Sequence, residues 1–89
     1  VINMEWKVEH VLPESKFIIR LGDDIAFVQY RINNNVFDVV STFVPSKYEG
    51  QGIAGALVKE AYSYAKELNY QLKGSCSYAA VWLKRHPEY

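Results

Sequence analysis

Val44-Pro45-Ser46-Lys47-Tyr48-Glu49-Gly50-Gln51-Gly52-Ile53-Ala54-Gly55-Ala56-Leu57 is the stretch in which the spacing of apolar residues changes. Before it, residues 36–44 are rich in Val, Phe and Thr, the β-branched and aromatic types that suit a pleated strand. After it, Ile53, Leu57, Ala61, Tyr64, Ala65 and Leu68 recur at helical intervals, while Lys59, Glu60, Ser63, Lys66 and Glu67 point away. A strand therefore runs into a glycine-containing loop that opens a helix. Backbone N–H groups in such a loop and first helical turn have no intrahelical acceptors. Together with the helix dipole they make an anion site suited to a pyrophosphate. Gly50 and Gly52 would let phosphates approach the backbone, and Ala54, Gly55 and Ala56 keep the first turn slim. The same residues also fit a purely architectural role, with the glycines shaping a tight loop and the small residues packing helix on sheet. Neither a phosphate-loop lysine nor a full dinucleotide fingerprint is present, which disfavours nucleotide hydrolysis and hydride transfer.

Working outward, the first half reads as strands. Phe17, Ile19 and Leu21 alternate with Ile18 and Arg20, and Gly22-Asp23-Asp24 supplies a turn. Residues 25–32 place Ala26, Val28, Tyr30 and Ile32 on one face and Gln29 and Arg31 on the other. Asn33-Asn34-Asn35 marks a tight turn, because Asn tolerates positive φ. Residues 17–44 thus form an antiparallel meander. Beyond the helix, Asn69 is a cap in the left-handed region. Residues 71–76 make a fourth strand, Ser77 is an N-cap for a short helix running to about Arg85, and Pro87 closes it. The third strand, the long helix and the fourth strand make a βαβ unit, so those two strands are parallel. The segment 5–16 is open between a short strand, suggested by Trp6 and Val8, and an edge-covering extension. The expected fold class is α/β (α+β): a mixed, mostly antiparallel sheet of four to five strands with one long and one short helix, in a single domain over residues 1–89.

Composition bounds the partners. Eighty-nine residues allow one small core, and 49% hydrophobic content is ordinary for a folded chain. Ten basic residues balance ten acidic ones, which argues against a protein that coats nucleic-acid backbones. One small anionic ligand held by a few groups remains compatible with that balance. The only cysteine, Cys76, allows no internal disulfide and fits a reducing compartment. No signal-peptide pattern opens the chain, and no stretch approaches the roughly 20 apolar residues of a membrane helix. The expectation is a cytoplasmic protein without membrane or metal; an opening on Val1 with no terminal tail reads as trimmed.

Gly50-Gln51-Gly52-Ile53-Ala54, between Val44-Pro45 and Leu57-Val58, resembles the coenzyme A pyrophosphate loop of the GNAT superfamily of N-acetyltransferases. That loop is commonly Arg/Gln-x-x-Gly-x-Gly/Ala. Here Glu49 stands at the first position, Gly52 at the glycine and Ala54 at the last. Glu49 departs from the usual Arg or Gln and brings a carboxylate near the expected phosphates. A second stretch, Cys76-Ser77-Tyr78-Ala79 followed by Arg85-His86-Pro87-Glu88-Tyr89, is similar to a subgroup of short stand-alone domains lacking the N-terminal helices that build much of the acceptor site. The resemblance spans residues 17–89.

The resemblance implies that acetyl-coenzyme A is the co-substrate. Its acyl arm would run between the third and fourth strands, bonded to the backbone of Phe43 and Val44. Glu49, Gly50, Gln51, Gly52, Ile53 and Ala54 would hold the pyrophosphate. It also marks Cys76 as an active-site candidate, and a thiol just before a helix N-terminus can have a lowered pKa. A covalent acetyl-Cys76 then competes with simple core packing. His86 would act as base or ligand contact, or be a histidine favoured at a helix end. Arg85 would pair with phosphate or be solvated, and Tyr78 would reach the thiol or coenzyme or pack the helix. His10 lies outside the match and reads as incidental; Trp6, Trp82 and the seven tyrosines read as core and rim. The leading expectation is acetyl transfer to an amine, either a small molecule or a protein lysine. A coenzyme A-binding module without turnover, or an interaction domain, is the alternative.

Overall fold

A computed structural model describes residues 6–89. Residues 1–5, which include the start of the open segment, lie outside the described residues. Five strands form one sheet in chain order: β1 (Val8–Val11), β2 (Lys16–Leu21), β3 (Asp24–Asn33), β4 (Val36–Phe43) and β5 (Gln71–Gly74). The first four are antiparallel, and β5 runs parallel to β4. Helix α1 (Ile53–Glu67) makes the crossover from β4 to β5, and α2 (Ser77–Arg85) follows. The expected mixed sheet with a long and a short helix is therefore the observed fold. The open segment resolves as the edge strand β1, with Val8 opposite Ile19 and Val11 opposite Lys16.

Turn chemistry places the strands. Asn34 and Asn35 both adopt positive φ, 50° and 66°, in the two-residue connection between Asn33 and Val36. Two consecutive positive φ values give a hairpin the twist its strands need. The register then brings Phe17, Ile19 and Leu21 of β2, Ala26, Val28 and Tyr30 of β3, and Phe37 and Val39 of β4 to one buried face. Between Val39, opposite Tyr30, and Ser41, opposite Gln29, Val40 is an extra residue, a β-bulge. The bulge shifts the alternation, so Thr42 is half-buried and the next residue, Phe43, is 48% exposed, its ring 5.7 Å from Phe27.

Helix α1 buries Ile53, Leu57, Val58, Ala61, Tyr62 and Ala65. That differs from the expected stripe: Val58 and Tyr62 are inside, and Leu68 is 50% exposed. The cause is α2, which packs beside α1 and covers a second flank of it; Trp82 lies 5.7 Å from the Tyr62 ring. A helix covered on two sides needs a wider apolar arc than a helix lying on a sheet alone. At its C-terminus Asn69 has φ 62°, its N–H donates to the Lys66 carbonyl at 3.0 Å, and the Tyr70 N–H donates to Ala65 at 3.0 Å. This pair of bonds is the Schellman closure, and Asn69 occupies its left-handed position as expected. Ser77, by contrast, is the first residue of α2 and Cys76 is the N-cap. His10 is also more than incidental: its Nε2 lies 2.6 Å from the Tyr30 hydroxyl and its ring stacks on Phe17 at 4.0 Å.

Asn69→Ala is expected to lower the unfolding free energy by about 1 kcal/mol, because Ala has no local hydrogen bonding to offset positive φ, whereas Asn69→Gly should be neutral or stabilising. Urea denaturation at unchanged m reads both variants.

Candidate functional site

The β4–β5 pairing ends at Val39 opposite Gly74, while β4 continues to Phe43. Beyond Val39 this β4 edge thus has no strand partner among the described residues, and a groove of ≈ 600 Å³ opens beside it. That volume is in the usual range for small-molecule sites. Its walls are Thr42, Phe43 and Val44 on the strand side, Tyr48 to Gly50 in the loop, Gly52 to Gly55 at the start of α1, and Tyr78 from α2.

The loop is held in position by a turn of its own and by two side-chain hydrogen bonds. A 3-10 turn, Ser46–Tyr48, follows Pro45, and the Tyr48 hydroxyl donates to the Leu21 carbonyl at 3.4 Å. Trp6 Nε1 donates to the Gln51 carbonyl at 3.3 Å from outside the groove. Gly50 and Gly52 have φ 81° and 80°, and a Cβ on either would meet nothing within 4 Å. The backbone conformation, not crowding, requires glycine at both. The first helical bond is donated by Ala56 to the Gly52 carbonyl at 3.0 Å. The N–H groups of residues 50–55 have no backbone acceptor among the described residues. That is an array of donors at the positive end of a 15-residue helix, directly beside the groove.

Cys76 does not itself line the groove but contacts a residue that does. Its Sγ lies 3.5 Å from Thr42 Oγ1, and Thr42 lines the groove. Burial pushes the thiol pKa up, but the Thr42 side chain and the nearby amides of Ala79, Tyr78 and Thr42 outweigh it, and the net pKa is lowered. Among the described residues no side-chain hydrogen bond closes the cap of α2. Tyr62, fully buried, donates its hydroxyl to the Lys73 carbonyl at 2.6 Å. Burial raises its pKa strongly, with Asp38 and Cys76 adding to the rise, so the phenol remains a donor.

Phe43, Val44, Glu49, Gly50, Gly52, Ile53, Ala54 and Tyr78 line the groove together. Gln51 does not; its carbonyl is turned to Trp6. His86 and Arg85 are not brought to it either. They lie at the far end of α2, about 13 Å along the axis from Ser77 at 1.5 Å per residue. His86 Nδ1 is 2.8 Å from the Trp82 carbonyl and its ring stacks on Trp82 at 3.9 Å, while Arg85 is exposed. Sequence reading missed Thr42 and Tyr48 as lining residues, and Gly74 as a packing residue. A Cβ on Gly74 would lie 2.7 Å from Ala80 N and 2.9 Å from Ala79 C, so α2 rests directly on the end of β5. A lone glycine in a strand signals such a close approach, but it does not name the partner.

An open strand edge beside a helix N-terminus, at a parallel crossover in a largely antiparallel sheet, defines a small α/β domain with a groove at that junction. The chain belongs to the GCN5-related N-acetyl-transferase family, whose sequence pattern matches residues 16–89. Protein NATD1 of Gallus gallus and of Homo sapiens are each 31% identical to it over 84 residues, covering 91% of this chain and 76% and 74% of those proteins. A GCN5-like protein of Staphylococcus aureus, solved by solution NMR, has a TM-score of 0.74 and 31% identity over 94% of this chain and 83% of that one.

The Cys76 thiolate is expected to form below the ordinary 9.0, and Thr42→Val should move its midpoint back up; the pH dependence of alkylation rate measures both. Because the folded-state pKa is the lower one, the thiolate's contribution to stability is complete above the ordinary value and is lost as pH falls through the lowered one. Gly74→Ala should destabilise the protein by roughly 1–3 kcal/mol through overpacking against α2, read as a drop in Tm.

Proposed function

We propose that this protein transfers an acetyl group from acetyl-coenzyme A to an amine, taking its coenzyme into the groove beside β4. The observation that carries the reading is the junction of three features: an unpaired strand edge, an array of free N–H donors at residues 50–55, and membership of an acetyltransferase family. Those amides donate to the pyrophosphate oxygens, an interaction worth more near a helix N-terminus than in open water. The acyl arm lies along the Thr42–Val44 edge and pairs with it as an added strand would. Tyr78 and Phe43 supply apolar walls. Glu49 is exposed at the groove, and its carboxylate subtracts from anion affinity.

In the reaction the amine nitrogen attacks the thioester carbonyl, the carbon–sulfur bond breaks, the amine loses a proton and coenzyme A leaves as a thiol. Cys76 offers a two-step variant, in which its thiolate takes the acetyl group first and the amine removes it from Cys76. The contact with Thr42 and the lowered pKa support that route. The position of His86, engaged with Trp82 outside the groove, favours a second reading in which the domain binds coenzyme A without turning it over. The working compartment we infer is the cytoplasm, where a single thiol stays reduced.

Calorimetric titration with acetyl-coenzyme A is expected to saturate at one site, and Gly52→Val, which forces a branched residue to φ 80°, should weaken binding about tenfold or more. No heat and no amide shifts across residues 42–55 would end the reading. Binding without amine-dependent release of coenzyme A thiol would select the binding module, and unchanged turnover in Cys76→Ala would remove the covalent route.

A further inference from the structure

A parallel ladder takes its donors from every second residue of a strand. Gln71 N–H donates to the Asn35 carbonyl at 2.9 Å, so the series continues through Lys73 toward Phe37 and Ser75 toward Val39. The last member is missing. The Val39 carbonyl accepts from Cys76 N–H at 3.0 Å instead. Ser75 N–H donates to Asp38 Oδ1 at 2.8 Å, and the Ser75 hydroxyl donates to Asp38 Oδ2 at 2.6 Å. The chain has slipped by one residue at the end of β5, and the residue gained carries it out of the sheet and into α2.

We propose that Asp38 is the positioning residue that keeps the groove open. A carboxylate is a stronger acceptor for an N–H than a backbone carbonyl, since charge-assisted bonds are roughly twice as strong as neutral ones. Two bonds to one serine hold the slipped register against the regular one. From the opposite face, the Tyr62 hydroxyl donates to the Lys73 carbonyl at 2.6 Å. The phenol therefore ties the last carbonyl of the ladder to α1 while Asp38 removes the next donor. With that donor gone, β5 cannot continue along residues 40–43, and this edge stays available to an extended ligand. Asp38 does not line the groove, so it acts through β5 rather than on the ligand.

The ligand half of this inference rests on the acetyl-coenzyme A reading; the register half does not, and the experiment separates them. Amide hydrogen exchange followed by NMR reads the register without ligand. In the parent protein both Ser75 and Cys76 amides are protected. In Asp38→Ala, Ser75 is expected to stay protected, now by Val39, while Cys76 exchanges about tenfold faster or more. Asp38→Asn, which keeps an acceptor oxygen, should restore the parent pattern. Should Asp38→Ala fail to fold, Ser75→Ala, which loses one of the two bonds, is expected to show the same exchange change to a smaller degree. Fast exchange at Ser75 with Cys76 still protected would overturn the proposal, because the register would then be independent of the carboxylate. Acetyl-coenzyme A affinity should fall about tenfold in Asp38→Ala and recover in Asp38→Asn at little-changed Tm. A register change with unchanged affinity would show that the edge is not the ligand's path. Absence of binding in the parent protein would count against the coenzyme reading while leaving the exchange result to judge Asp38.

Discussion

Parallel pairing between β4 and β5 needs a donor on every second residue, and the groove exists because that sequence of donors breaks after Lys73. Ser75 gives its N–H to Asp38, Val39 is served by Cys76 instead, and the chain turns into α2. Several features of the molecule depend on this break. It leaves residues 40–43 with an unpaired edge. It puts Cys76 at the N-cap of α2, where nearby amides favour the thiolate. It also seats α2 so close to β5 that Gly74 admits no side chain. A continuous ladder would have closed the edge and moved all three.

The core supports the break from beneath. Phe37 and Val39 are fully buried next to it, and Tyr62 reaches up from α1 with its ring against Phe37 and Trp82. Replacing such an aromatic by Ala costs about 3–5 kcal/mol, which is a large share of the stability of so small a domain. The hydroxyl of Tyr62 adds polar specificity to that packing. Buried and far from ionising, it keeps its proton and donates it to the Lys73 carbonyl. Position and register of the last rung are thereby fixed from both faces of the sheet.

Much of the fold was legible along the chain. Alternation in residues 17–44 located three strands, Asn33-Asn34-Asn35 the hairpin, and Asn69 the helix end. These are local signals, since backbone conformation at a turn or cap is set by a few adjacent residues. The loop at residues 50–54 was legible for the same reason: its glycines report positive φ, which the structure shows at Gly50 and Gly52. Less legible were the elements whose role is set by distant partners. Tyr62 and Val58 lie outside the stripe read from the sequence and are buried because α2 covers that side of the helix. Thr42 and Tyr48 entered the groove because a bulge at Val40 and a 3-10 turn aimed them there.

By itself, then, the amino-acid order determined the order of elements, the parallel crossover and the donor-rich loop, because each follows from periodicity, glycine and capping within a few residues. The tertiary structure alone decided which side chains share the groove. It placed Cys76 behind Thr42, left His86 and Arg85 at the distant end of α2, and joined Asp38 to Ser75 across 37 positions of sequence. Contacts of that range depend on strand register and on how one helix lies against another. A single residue of slip exchanges one set of neighbours for another, and it leaves no trace in local composition.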